Sequence, residues 1–172
     1  MEHQIMLFPL IGVEWDGMSL RFGQSEAEVS AVLGQPETVR GKRRYYFDGE
    51  LALDFDGEER LEFVEFLAGP EGSLRPDLYG RDVFAADADE LYALLAERNG
   101  PDIDDGEAPY GYALRRLSIG LYREIAPDDV TAMLKEMCNM DLTQLGGLDI
   151  GAEKEKAHHW GCVGIGKKNY YA

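Results

Sequence analysis

Ser25-Glu26-Ala27-Glu28-Val29-Ser30-Ala31-Val32-Leu33-Gly34-Gln35-Pro36 and, shortly after, Tyr45-Tyr46-Phe47-Asp48-Gly49-Glu50-Leu51-Ala52-Leu53-Asp54-Phe55 decide the fold class. The first stretch opens with a capping box: the Ser25 hydroxyl is spaced to accept from the Glu28 amide while the Glu28 carboxylate reaches back. Val29, Val32 and Leu33 supply an apolar face, and Gly34 with Pro36 stops the helix. In the second stretch Asp48-Gly49 is a turn signal. Leu51, Leu53 and Phe55 then alternate with Glu50, Ala52 and Asp54, the pattern of a half-buried strand. Asp56-Gly57 turns again into Arg60–Leu67. A helix followed by an antiparallel meander is an α+β arrangement.

The chain then returns to the same order. Asp87 or Asp89 opens a second helix with Leu91, Leu94 and Leu95 on one side, closed by Gly100-Pro101. A shift of 66 residues places Gly34 on Gly100, Tyr46 on Tyr112, Leu51 on Leu117, Leu53 on Ile119 and Phe55 on Leu121. Any helix–turn–strand pair can be matched by choosing the best shift, so duplication stays open at this point. Ala126-Pro127-Asp128-Asp129 starts a third helix, with proline in its first turn and acids at its positive end. Val130, Met133, Leu134 and Met137 form its expected buried stripe. Residues 138–157 read as irregular or weakly helical, and His159–Gly166 as a glycine-rich strand. Ile5–Val13 reads as a first strand, and Pro70–Pro76 as a linker. The expectation is one domain over 1–172 with internal modules 20–68 and 85–123. Helix 126–138 and a C-terminal strand 158–167 complete it, with about three helices on one face of an antiparallel sheet.

Phe22-Gly23-Gln24-Ser25, Glu28-Val29 and Val32-Leu33-Gly34-Gln35-Pro36 resemble a module of β-lactamase inhibitor proteins and small outer-membrane assembly lipoproteins. In that module a short helix enters through Gly-x-Ser/Thr and leaves through Leu-Gly-x-Pro into a β-meander. The resemblance covers residues 20–67 well and 87–122 poorly. It implies a protein-binding α+β scaffold, sometimes in tandem, whose open sheet face grips a partner. This sequence shows no secretory signal, lipidation cysteine near its start or paired cysteines, so the expected location is the cytoplasm.

Charge narrows the choice of partner. The sequence carries 33 Asp+Glu against 17 Lys+Arg, a formal charge of −16. Residues 48–71 hold nine acids and Arg60, and residues 87–107 hold eight acids and Arg98, so two windows carry nearly all of the excess. Nucleic acid and anionic membrane surfaces would be repelled. A basic protein partner would be attracted.

No motif names a reaction, and no catalytic, metal or cofactor site is expected. Asp102-Ile103-Asp104-Asp105-Gly106-Glu107 is rich in carboxylates, but a calcium loop starting at Asp102 would need glycine at its sixth position and glutamate at its twelfth. Glycine falls at the fifth instead, and Ala113 at the twelfth. His158-His159, read on a strand, would point to opposite faces and could not chelate one ion without a bulge. Gly161–Lys168 lacks the spacing of a phosphate loop, and its glycines fit close backbone approach. Cys138 and Cys162 belong to no metal or redox pair and read as buried free thiols.

The strand faces are more informative. Glu50 and Asp54 would point outward with Glu62 beside them, while Arg116, Ser118, Gly120 and Tyr122 would share the opposite face from Leu117, Ile119 and Leu121. The expected partner-binding set is Glu50, Asp54, Glu62, Asp102, Asp104, Asp105, Tyr122 and Trp160. The function expected is that of an acidic protein-binding domain, an immunity- or inhibitor-type antagonist of a basic effector. The alternative is a small enzyme or ligand-binding domain. Its site would be near the glycine-rich strand, lined by Tyr122, His158, His159, Trp160 and Cys162. A third alternative is an assembly subunit pairing through its sheet edge.

Overall fold

A computed structural model describes residues 2–139 and 150–172 of the 172-residue chain. In chain order the strands and helices are β1 (His3–Phe8), β2 (Gly12–Trp15), β3 (Met18–Arg21), α1 (Glu26–Leu33), β4 (Thr38–Arg40), β5 (Arg43–Tyr46), β6 (Leu51–Phe55) and β7 (Leu61–Phe66). There follow β8 (Leu74–Leu78), β9 (Arg81–Asp82), α2 (Ala88–Asn99), β10 (Ile103–Asp104), β11 (Gly111–Leu114), β12 (Ile119–Tyr122), α3 (Pro127–Met137), α4 (Ile150–His158) and β13 (Cys162–Gly166). The class is α+β, with an antiparallel eight-stranded sheet, a mixed five-stranded sheet and four helices among the described residues.

The local signals act as their chemistry dictates. Ser25 caps α1 by accepting from the Glu28 amide at 3.2 Å while Glu28 accepts from the Ser25 amide at 2.8 Å. Asp87 caps α2 by accepting from the amides of Asp89 and Glu90. Gly34 and Gly100 close these two helices with nearly the same backbone angles, φ 81°, ψ −164° and φ 83°, ψ −165°. A side chain would be strained at this positive φ, which is why glycine stands at both helix ends.

The large sheet runs β10-β11-β12-β13-β7-β6-β5-β4. It is therefore two four-stranded ladders, each following a glycine-closed helix, joined where β13 pairs with β7. Leu51 starts β6 opposite Tyr46, and the residue in that place of the other ladder is Ile119, opposite Leu114. The hairpins correspond at a shift two residues longer than the one that matches the helix-closing glycines. The two extra residues fall between Gly100 and β11, in a stretch the sequence comparison treated as ungapped.

Three expectations about the strands are corrected. Ile5–Val13 is not one strand, because Leu10 at φ 70° turns the chain and leaves β1 and β2 antiparallel. Pro70–Pro76 is not a linker: Gly69–Glu71 is a 3-10 turn, and Leu74 onward is β8, parallel to β1 with Ile5 opposite Pro76. His158 ends a helix rather than a strand, so β13 starts only at Cys162. Of 138–157, Cys138 and Asn139 turn out of α3, 150–157 belong to α4, and residues 140–149 lie outside the described ones.

One core joins both sheets and the first two helices. It holds Ile5, Leu7, Val13 and Leu20 from the small sheet and Leu51, Leu53, Val64, Phe66, Ile119, Leu121, Val163 and Ile165 from the large one. Val29, Leu91 and Leu95 come from α1 and α2. Each such side chain contributes about 1.5–3 kcal/mol through burial. The α3–α4 pair has a small core of its own around Ile125, Val130 and Ala157. That contact is too narrow to cover the expected stripe on α3, and Leu134 stays 47% exposed. Cys138, at the end of α3, is exposed rather than buried. Among the described residues, no helix is long and apolar enough to cross a membrane.

Candidate functional site

Strand register divides the large sheet into a core face and an open face. Across the middle of the open face runs the row Ala113, Gly120, Gly164, Glu65 and Ala52, each paired with the next. On one side lies Gly111–Tyr122–Cys162, and on the other Gly166–Phe63–Asp54–Arg43. Glu65 apart, small residues thus form a floor between an exposed tyrosine and a charged, aromatic border.

The chain covers part of this floor with its own aromatics. The rings of Phe63 and Tyr170 stack at 4.4 Å, and Tyr171 meets Phe63 edge-on. A Cβ on Gly120 would collide with Tyr171, one on Gly164 with Phe63, and one on Gly166 with Tyr170. The glycine-rich strand is accounted for by this close approach. Burial pushes the Tyr171 phenol well above the usual tyrosine range.

Most carboxylates at the covered end have internal partners. Arg43 donates to both oxygens of Asp54 at 2.8 and 3.0 Å and to Glu65 at 3.3 Å. The Asp54 hydrogen bonds, the largest influence, hold the Arg43 guanidinium above its ordinary pKa against the cost of burial. Lys42 donates to Glu62 at 2.7 Å, and Lys167 lies 3.2 Å from Asp56 and 3.5 Å from Glu62. Glu50 accepts from the amides of Ser73 and Leu74. Burial opposes the Glu50 charge, but those amides outweigh it and lower the carboxyl pKa.

These contacts redistribute the expected binding set. Asp54 lies on the open face as expected, but it and Glu62 are only 3% and 9% exposed, so neither presents its charge to a partner. Glu50 is half-buried and pins β8 rather than facing a partner. Trp160 is fully buried, donating from Nε1 to the Ala88 carbonyl at 2.9 Å beneath the Arg123 guanidinium. It has no surface to offer a partner. Ser118 is buried in the turn before β12 rather than on the open face. Asp102 and Asp104 lie 3.6 and 3.2 Å from Arg115, while Asp105 is exposed beside them. Tyr122 is 44% exposed and sits on the open face as the alternation required.

A hollow of about 430 Å³ lies on the uncovered half of the face. Glu65 from the first acidic window and Asp104 and Glu107 from the second line it together, with Tyr122 and Tyr171. Sequence reasoning missed Glu65, Glu107 and Tyr171. The outward phase of Glu65 on its strand was readable, but the return of Tyr171 over Gly120 had no local signal.

A second hollow, of about 640 Å³, opens between α4 and the 3-10 turn. Tyr122, His159 and Cys162 line it with Leu67, Pro70, Phe84 and Ala85. Its chemistry is muted. His159 Nδ1 is 3.0 Å from the Ala86 carbonyl, and Nε2 is 3.4 Å from Glu155. Burial pushes the Cys162 thiol up to about 11, leaving it protonated and poorly nucleophilic at neutral pH. His158 turns instead toward Asp87, at 3.6 Å. Comparison with known proteins finds no matching family, curated protein or solved structure.

Proposed function

We propose that this chain is a tandem helix–meander scaffold that binds a basic protein through the open face of its large sheet. The carrying observation is the hollow that gathers acids from both windows beside an exposed tyrosine. Such a surface steers a cationic partner electrostatically and anchors it on an aromatic ring. The two four-stranded ladders, each preceded by a glycine-closed helix, support duplication and the resemblance of residues 20–67 to inhibitor and assembly modules. Antagonism of a basic effector in the cytoplasm follows as the role. The formal charge of −16 disfavours nucleic acid and anionic membranes. The test captures binders from the native host and measures association with the recombinant binder across salt concentrations. The on-rate should fall steeply from low to physiological salt. A salt-independent on-rate, or binding indifferent to both Tyr122→Ala and Glu107→Gln, refutes the reading.

The 640 Å³ hollow favours a second reading, because its size lies within the range of small-molecule sites. A compound that raises the melting temperature of the wild type but not of Ala85→Arg would establish it.

A further inference from the structure

We infer that the two hollows form one groove, and that it takes an extended, cationic segment of another protein laid across Tyr122. The inference rests on the protein-binding reading and adds the partner's shape and path. Tyr122 and Cys162 border both hollows and are directly paired on neighbouring strands, so the two spaces meet at this pair. The second hollow exists because the chain leaves the sheet after β12, builds α3 and α4, and only then returns as β13. In the other ladder, β6 passes to β7 through residues 56–60 alone, and the space has no counterpart.

Charge selects the occupant. Glu107 in the first hollow and Glu124 and Glu71 in the second are exposed and have no cationic partner among the described residues. The cations lining the second hollow are already engaged: Arg75 with Asp82 at 2.9 Å, Arg123 with Asp89 at 3.1 Å and Lys156 with Glu153 at 3.9 Å. Unpaired charge along the groove is therefore negative from end to end. Leu67, Pro70 and Phe84 give the second hollow an apolar wall. The segment that fits carries lysine or arginine toward Glu107 and an apolar side chain toward that wall. An extended chain advances about 3.3 Å per residue, so a short segment reaches both ends.

The probe is a random peptide library displayed on phage, panned against the full chain, with the enriched peptide then titrated by fluorescence anisotropy. Enriched sequences should combine basic and apolar residues. Tyr122→Ala should weaken binding about tenfold or more, as loss of an aromatic anchor does. Ala85→Arg, which fills the second hollow from an exposed position, should weaken it comparably, and Glu107→Gln should flatten its salt dependence. Circular dichroism melts show that the variants are folded. Failure to enrich any peptide, enrichment of acidic peptides, or affinity unmoved by both Tyr122→Ala and Ala85→Arg overturns the inference. A basic protein that binds wild type and Ala85→Arg equally, yet loses affinity with Tyr122→Ala, overturns the groove alone and leaves the open-face reading standing.

Discussion

Replacing Arg43 by methionine should expose how the open face is held. Asp54 is 3% exposed and accepts both of its hydrogen bonds from Arg43. The methionine fills the space of the arginine stem but leaves a buried carboxylate unpaired. Removing one partner of a buried pair costs about 3–5 kcal/mol, far more than the pair itself contributes relative to an apolar replacement. For a chain of this size each kcal/mol moves the melting temperature by about 2–4 °C, so Arg43→Met should lower it by about 6–20 °C. The double variant Arg43→Met, Asp54→Leu removes the orphaned charge and should recover most of the loss. Urea unfolding of wild type, both single variants and the double variant gives the coupling directly. Raising the salt should change the Arg43→Met penalty little, because the pair is shielded from solvent ions. If Arg43→Met costs under about 1 kcal/mol, or the double variant is worse than the sum of the singles, Asp54 is solvated and the description of the open face is wrong.

Three further outcomes follow from the same geometry. Gly164→Ala should destabilise by about 1–3 kcal/mol, since the added methyl meets the Phe63 ring; an unchanged urea midpoint with intact ring-current shifts at Tyr170 would contradict the close approach. With iodoacetamide at pH 8, exposed Cys138 should react first while Cys162 stays slow, and the Cys162 rate should climb about tenfold per pH unit toward its pKa of about 11. Equal alkylation of both thiols in the folded protein at pH 8 would show that burial does not protect Cys162. Glu50 has a lowered folded-state pKa, so its contribution is present above the ordinary glutamate value of about 4.3 and is lost as pH falls through the lower folded value. Glu50→Gln should therefore lower stability at neutral pH, with the difference from wild type shrinking on acidification below about pH 4; a pH-independent difference would assign it to packing.

Elements governed by neighbours in sequence were legible without coordinates. Ser25 and Glu28 are within one helical turn, Gly34 and Gly100 need only local backbone angles, and Leu51, Leu53 and Phe55 follow the period of a strand. Both caps and the first meander depend on interactions a few residues long, so residue type and spacing sufficed. The buried side of the sheet followed for the same reason, and the outward place of Tyr122 with it.

Pairings remote in sequence were decided by the tertiary structure. Leu74-Arg75-Pro76-Asp77-Leu78 has a proline and two charges where a strand would want β-branched residues, and becomes β8 only because β1 lies beside it. Asp54 looks like an outward acid by alternation and Glu62 was expected beside it, yet Arg43 on β5, Lys42 in the β4–β5 turn and Lys167 just after β13 take them up. Sequence establishes how many charges there are and the phase of each on its strand. Which charges remain for a partner depends on contacts between distant segments, because Coulomb attraction and burial act through space while the code for helix and strand acts along the chain.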